Sequence, residues 1–192
     1  QNHVTSVLLN RPDALNAITP EMHHELQDAF DVFSKDENEF VAVIRGAGDR
    51  AFCAGSDLKT IAAGGFKAYP KSGYAGLIER FDLNKPLIAA VDGFALGGGF
   101  EVALACDIIV ATHRSSFGLP EPLVGAVALG GGIHRLARQI GLKQAMGMVL
   151  TADRVSANEG FRMGFVNQVV DTDALDKTVD EVCEKILRCA PL

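Results

Sequence analysis

The sequence has 192 residues, of which 48% are hydrophobic and 22% charged, with a formal net charge of -6. That is the make-up of a globular chain with room for one ordinary core, so it predicts a single domain over residues 1–192. The acidic balance shows no cluster of Lys and Arg, and the longest apolar runs, such as LIAAV at 87–91, are far too short to span a bilayer, so neither a nucleic-acid nor a membrane partner is expected.

Taken in chain order, HVTSVLLNRP has the β-branched character of a strand that stops at Pro12. TPEMHHELQDAFDVF then reads as a helix with Thr19 as N-cap and Pro20 at the first helical position. Met22, Leu26, Ala29, Phe30 and Phe33 fall on its apolar face, and its histidines fall outside that stripe. FVAVIRG, PLIAAVDG and DIIVAT are short continuous apolar runs, the pattern of strands buried on both faces. GAGDRA at 46–51 fits a loose dinucleotide pattern, but no apolar periodicity follows it, so a plain turn is expected. AAGGFKAYPKSGYAG at 62–76 has the composition of a mobile loop over a site. Ser156 with Glu159 makes a capping box closed by Gly164, VNQVV is strand-like, and a last amphipathic helix runs through Leu175, Val179, Val182, Ile186 and Leu187. Strands and helices alternate throughout, which is an α/β pattern.

The four cysteines form no CxxC pair, and Cys53 and Cys106 sit in apolar runs expected to be buried. That usage suits a reducing compartment, so a cytoplasmic protein is expected, with the mitochondrial matrix as the alternative. There is no P-loop, no nucleophile elbow and no zinc spacing, so no metal site is expected, and His134 in IHRLARQI reads as structural.

The chemistry concentrates in GFALGGGFEVALACD at 93–107. Three glycines before an apolar helical run cost stability unless bare backbone is wanted there, and the first turn of a helix presents unpaired N–H groups to whatever lies before it. Gly98 is therefore a candidate oxyanion donor, where a side chain would obstruct a thioester carbonyl, with tight packing as the plainer alternative. Glu101 reads either as a solvated first-turn acid or as half of a proton-transfer pair. Its candidate partner is Glu121, between Pro120 and Pro122 with apolar flanks that raise a carboxyl pKa. AFCAGSDLK at 51–59 adds a turn that offers a second backbone N–H at Ser56, whose hydroxyl has no neighbouring base and is discounted as a nucleophile.

Together, FCAGSDL, KPLIAAVDGFALGGGFEVALACDIIVA and FGLPE resemble the signature of the enoyl-CoA hydratase/isomerase, or crotonase, superfamily. The resemblance implies a spiral of ββα turns and an acyl-CoA thioester substrate whose enolate is held by the backbone amides of Ser56 and Gly98. It implies that Glu101 serves as base toward a water and that Glu121 exchanges the proton at the α-carbon. Ala54, Gly55, Asp57, Leu58 and Lys59 match the region that receives coenzyme A, which is part of the substrate, so no separate cofactor is expected. YAGLIERFDLNKPLIAAVDGFALGGGFE is most similar to the carnitinyl-CoA dehydratase branch. Ala128 and Leu129 stand where many hydratases carry proline and glycine, and Leu129 where dienoyl-CoA isomerases carry aspartate, which disfavours that branch. The family has further C-terminal helices that cover the site and help build trimers. That region is expected to be largely missing here, and a homotrimer or dimer of trimers is expected at full length. The alternatives are an enoyl-CoA isomerase and a non-catalytic acyl-CoA- or RNA-binding homologue; the second acid favours catalysis.

Overall fold

The computed structural model describes residues 3–64 and 68–190. Its strands are β1 (Val4–Leu9), β2 (Val41–Gly46), β3 (Ala51–Cys53), β4 (Leu87–Val91), β5 (Phe94–Leu96), β6 (Ile108–Thr112), β7 (Ser116–Gly118), β8 (Val155–Ser156) and β9 (Gln168–Val170). Its helices are α1 (Pro20–Lys35), α2 (Leu58–Gly64), α3 (Gly98–Ala105), α4 (Gly132–Ile140), α5 (Leu142–Thr151), α6 (Ala157–Met163) and α7 (Leu175–Leu187). One parallel sheet has the order β1-β2-β4-β6-β9, and a second has the order β3-β5-β7-β8, antiparallel only between β7 and β8. Each successive turn of chain lays one strand in each sheet and then a helix: β2, β3, α2; then β4, β5, α3; then β6, β7, α4. This is the expected spiral of ββα turns, with right-handed parallel connections as its natural building rule.

The continuous apolar strands are buried on both faces, as their composition predicts. In β2, Val41 and Val43 pack with Ile88, Ala90 and Val110 beneath α7, whose Leu175, Val179, Val182 and Cys183 form the covering stripe. The alternate residues Ala42 and Ile44, with Ala89 and Val91, turn to the larger core around α3. Every residue of α3 from Gly98 to Leu104 is buried and all but Glu101 lack a polar side chain, so this short helix sits inside the molecule. Phe100, Phe117 and Phe165 lock it to β7 and to the turn after α6, with ring centroids 5.1 to 5.3 Å apart.

Three expectations change. In α1 the Thr19 hydroxyl accepts from Met22 N–H, as read, but His23 is on the buried face, with Met22 and Ala29 only half-buried. His23 Nδ1 accepts from Ala75 N–H at 2.9 Å, and burial pushes its pKa down to about 4, so it is a neutral acceptor. The segment 62–76 is a loop only in part: α2 runs to Gly64, residues 65–67 lie outside the described residues, and the 3-10 turn Tyr74–Gly76 is buried on α1. A Cβ on Gly76 would stand 2.3 Å from Gln27 N, and the Gln27 side chain accepts from Ser72 N–H, so this end is seated by packing. Gly97 caps α3, so the helix begins at the second of the three glycines.

The turn after β2 is plain, as expected, and buried Asn16 pins it by donating to the carbonyls of Ala47 and Ala51. Cys53, Cys106 and Cys183 are buried and Cys189 is exposed, all as free thiols. Among the described residues no helix is long and apolar enough to cross a membrane.

Candidate active site

The two sequence segments singled out for backbone chemistry meet. Ile18 N–H bonds the Gly55 carbonyl at 2.8 Å and Asp57 N–H bonds the Ile18 carbonyl at 2.9 Å. The N–H of Ser56 between them points to the other edge of the strand. There the chain lies against the start of α3: a Cβ on Gly55 would come within 3.1 Å of Gly98 N. Gly98 N–H, in the first helical turn, has no intrahelical acceptor. Ser56 and Gly98 thus line one cleft of about 610 Å³ together with Glu101, Glu121, Ala54, Gly55 and Leu58.

Each glycine of the Gly97–Gly99 run answers a different demand. Gly97 has φ +54° and ψ −129°, a combination closed to residues with a side chain. A Cβ on Gly99 would stand 2.1 Å from the Cys53 carbonyl oxygen. A Cβ on Gly98 would stand 2.2 Å from the Tyr74 hydroxyl, so its first obstacle is this buried ring, which itself lines the cleft. Tyr74 also accepts a hydrogen bond from Ser56 Oγ at 3.2 Å, which makes it the contact common to both amide positions.

Glu101 is 4% exposed, which overturns the reading of a solvated first-turn acid. Its Oε1 accepts from Gly132 N–H at 2.9 Å, the first residue of α4, so the carboxylate of one helix sits at the N-terminus of another. Burial nevertheless dominates and, with the charge of Glu121 adding to it, pushes the carboxyl up to about 7. Glu121 opens the 3-10 turn Glu121–Val124, its pKa is raised by burial, and its Oε2 is buried without a hydrogen-bond partner among the described residues. The cleft therefore holds two carboxyl groups that burial pushes toward the protonated form, suited to exchanging protons, beside the backbone of Ser56 and Gly98.

The cradle of Glu101 escaped the sequence reading. A Cβ on Gly130 would stand 2.4 Å from Glu101 Oε2, and one on Gly132 3.0 Å from Oε1. The signal was a second run of three glycines, Gly130 to Gly132, opening a second helix. Gly130→Ala is expected to displace the carboxylate and lower turnover about tenfold to a hundredfold, since an ångström of misplacement carries that cost. Gly147→Ala, with nothing within 4 Å of the added methyl, should leave turnover unchanged and serves as the control.

Asp57 and Lys59 do not line the cleft. Asp57 accepts from Thr60 N–H and pairs with Arg11 at 2.9 Å, and these contacts hold its carboxyl below the usual range. It fixes the start of α2. Lys59 is exposed one residue beyond Leu58, and His134 is exposed on α4, outside the cleft.

The raised carboxyl makes a stability prediction. Glu101 binds its proton more tightly folded than unfolded, so its contribution is complete below its unfolded value near 4.5 and is lost as pH rises through about 7. Between those values wild type should lose up to about 3 kcal/mol relative to Glu101→Gln in urea unfolding. Parallel pH curves for the two proteins would contradict the buried-acid assignment.

The sequence model of the enoyl-CoA hydratase/isomerase family matches residues 1–192. The carnitinyl-CoA dehydratase of Proteus mirabilis is 43% identical over 191 residues, which cover 98% of this chain and 73% of that protein. That of Salmonella typhimurium is 42% identical with the same coverage. Among solved structures, a carnitinyl-CoA hydratase from Mycobacterium avium has a TM-score of 0.94 at 39% identity, covering 100% of this chain and 74% of that one. An enoyl-CoA hydratase from Mycobacterium tuberculosis H37Rv has a TM-score of 0.93 at 39% identity, covering 100% of this chain and 75% of that one.

Proposed function

The chain belongs to the enoyl-CoA hydratase/isomerase family and is a hydro-lyase acting on unsaturated acyl-CoA thioesters, and we propose how its residues divide that work. The observation that carries the assignment is the meeting of Glu101, Glu121, Ser56 and Gly98 in one cleft. With the thioester oxygen at the N–H groups of Ser56 and Gly98, negative charge that develops on it is met by fixed donors and the positive end of α3. The Glu101 carboxylate takes a proton from water as the water oxygen bonds to the β-carbon and the π electrons move into the enolate. The Glu121 carboxyl then gives its proton to the α-carbon. In the reverse direction Glu121 removes the α-proton and Glu101 protonates the departing hydroxyl.

In either direction the pair carries one proton at the start and one at the end. Activity should therefore follow the singly protonated pair, and kcat/KM should be bell-shaped, falling on the alkaline side with an apparent pKa of about 7 or above. An isomerase needs only one acid, so the second carboxyl favours hydration. Ala54, Gly55 and Leu58 would flank the coenzyme A end of the thioester, with Lys59 available to its phosphates. Relatives named for carnitinyl-CoA place a β-hydroxyacyl group of that kind among the candidate substrates. Leu142, Met146 and Leu150, exposed on one face of α5, support an oligomer, expected as a homotrimer or dimer of trimers and checked by sedimentation. The deciding experiment is hydration of a panel of enoyl-CoA thioesters across pH. Double-bond migration without water addition would replace this reading by the isomerase one.

A further inference from the structure

The hydroxyls of Ser56 and Tyr74 take no part in the chemistry described so far, yet both residues line the cleft with Gly98 and Glu101. Ser56 Oγ donates to the Tyr74 hydroxyl at 3.2 Å, which occupies a lone pair of the phenol and leaves the phenol's own proton without an acceptor among the described residues. A Cβ on Gly98 would stand 2.2 Å from the same oxygen, so the phenol lies against the Gly98 α-carbon as well. It touches both residues whose N–H groups are assigned to the thioester oxygen. Tyr74 is 4% exposed, and burial pushes its pKa well above the ordinary phenol range, so it keeps its proton.

The ring is also firmly seated. His23 meets it edge-on at 4.6 Å and Tyr69 at 5.6 Å. The next residue, Ala75, has φ +53° and ψ +22°, a left-handed conformation uncommon for a residue with a side chain, and its N–H is tied to His23 Nδ1 at 2.9 Å. A buried phenol held by such a backbone, with its proton uncommitted, can satisfy that proton on a molecule that enters the cleft.

We propose that Tyr74 is a third donor of the oxyanion hole, its hydroxyl giving a hydrogen bond to the thioester oxygen beside the amides of Ser56 and Gly98. The Ser56 hydroxyl strengthens that donor by bonding to it from behind, as members of a hydrogen-bond chain polarise one another. The proposal rests on the hydratase reading for the placement of the thioester. The bond gains strength as charge grows on the oxygen, so it favours the enolate over the ground state.

Tyr74→Phe keeps the ring and its contacts with His23 and Tyr69 and removes only the hydroxyl. Hydration turnover should fall about ten- to a hundredfold, the worth of one hydrogen bond to a charged group, while KM stays nearly unchanged. Ser56→Ala, which keeps the backbone N–H, should lower turnover about two- to tenfold in wild type and no further in the Tyr74→Phe background. The direct readout is isotope-edited infrared spectroscopy of bound butanoyl-CoA labelled at the thioester carbonyl. Wild type should lower the carbonyl frequency below that of the free thioester, and Tyr74→Phe should move it part of the way back. An unchanged band in folded Tyr74→Phe would overturn the proposal even if the rate falls, because a packing role leaves the carbonyl alone. Independent, multiplying losses from Ser56→Ala and Tyr74→Phe would overturn the relay. A wild-type band equal to that of the free thioester would overturn both this proposal and the placement of the thioester. Absence of crotonyl-CoA hydration with the Tyr74-dependent band intact would sink the hydratase reading alone.

Discussion

Replacing Glu101 or Glu121 by glutamine is expected to lower hydration turnover at least about a hundredfold while saturated acyl-CoA binds with nearly unchanged affinity. The local geometry makes these clean substitutions. At position 101 the amide oxygen can still accept from Gly132 N–H, so the α3–α4 contact survives and the lost function is proton exchange. Removing a buried ionisable group should even favour the fold above neutral pH, so a fall in rate cannot be put down to unfolding. Glu121 is set differently. Its Oε2 has no partner among the described residues, so the substitution disturbs no protein contact at that atom and acts on what enters the cleft. If Glu101→Gln alone kept near-normal turnover, the water would need no base at this position and the mechanism would reduce to a one-acid isomerase.

The parts of the molecule that follow from local rules were legible in the sequence. The continuous apolar runs of β2, β4 and β6, the Thr19 and Ser156 caps and the stripe of α7 appear where periodicity and capping place them. Both carboxylates and both amide positions share the cleft that the motifs anticipated. What escaped was set by contacts distant in sequence. His23 looks like a surface residue on its own helix and becomes buried only because Ala75 docks there. Glu101 looks solvated until α4 closes over it, and Gly130 and Gly132 have no visible reason to be glycine until Glu101 is placed between them. Asp57 and Lys59 sit in a signature segment beside residues that do line the cleft, yet a partner distant in sequence holds Asp57 on Arg11, and Lys59 lies at the surface.

Gly98→Ala is expected to lower turnover by a factor of hundreds, the equivalent of roughly 3 to 4 kcal/mol for one oxyanion donor, and the structure adds the route. The new methyl would stand 2.2 Å from the Tyr74 hydroxyl and 2.3 Å from the ring carbon that bears it. Tyr74 is 4% exposed and packed edge-on by His23 and Tyr69, so it cannot swing away without disturbing that cluster. If the ring moves, it draws on its hydrogen bond with Ser56; if it stays, the start of α3 must tilt and re-aim the Gly98 amide. Either response misaligns a donor. Circular dichroism must show the variant folded before its rate is read. An enolate-like inhibitor should then lose far more affinity than a saturated acyl-CoA, because only the former places full negative charge between the amides. Tyr74→Leu in the Gly98→Ala background separates the causes. Partial recovery of rate would assign the defect to the ring contact, whereas none would return it to obstruction of the thioester itself. Equal losses for the two ligands in a folded Gly98→Ala protein would mean that the glycine serves packing and that the oxyanion is held elsewhere.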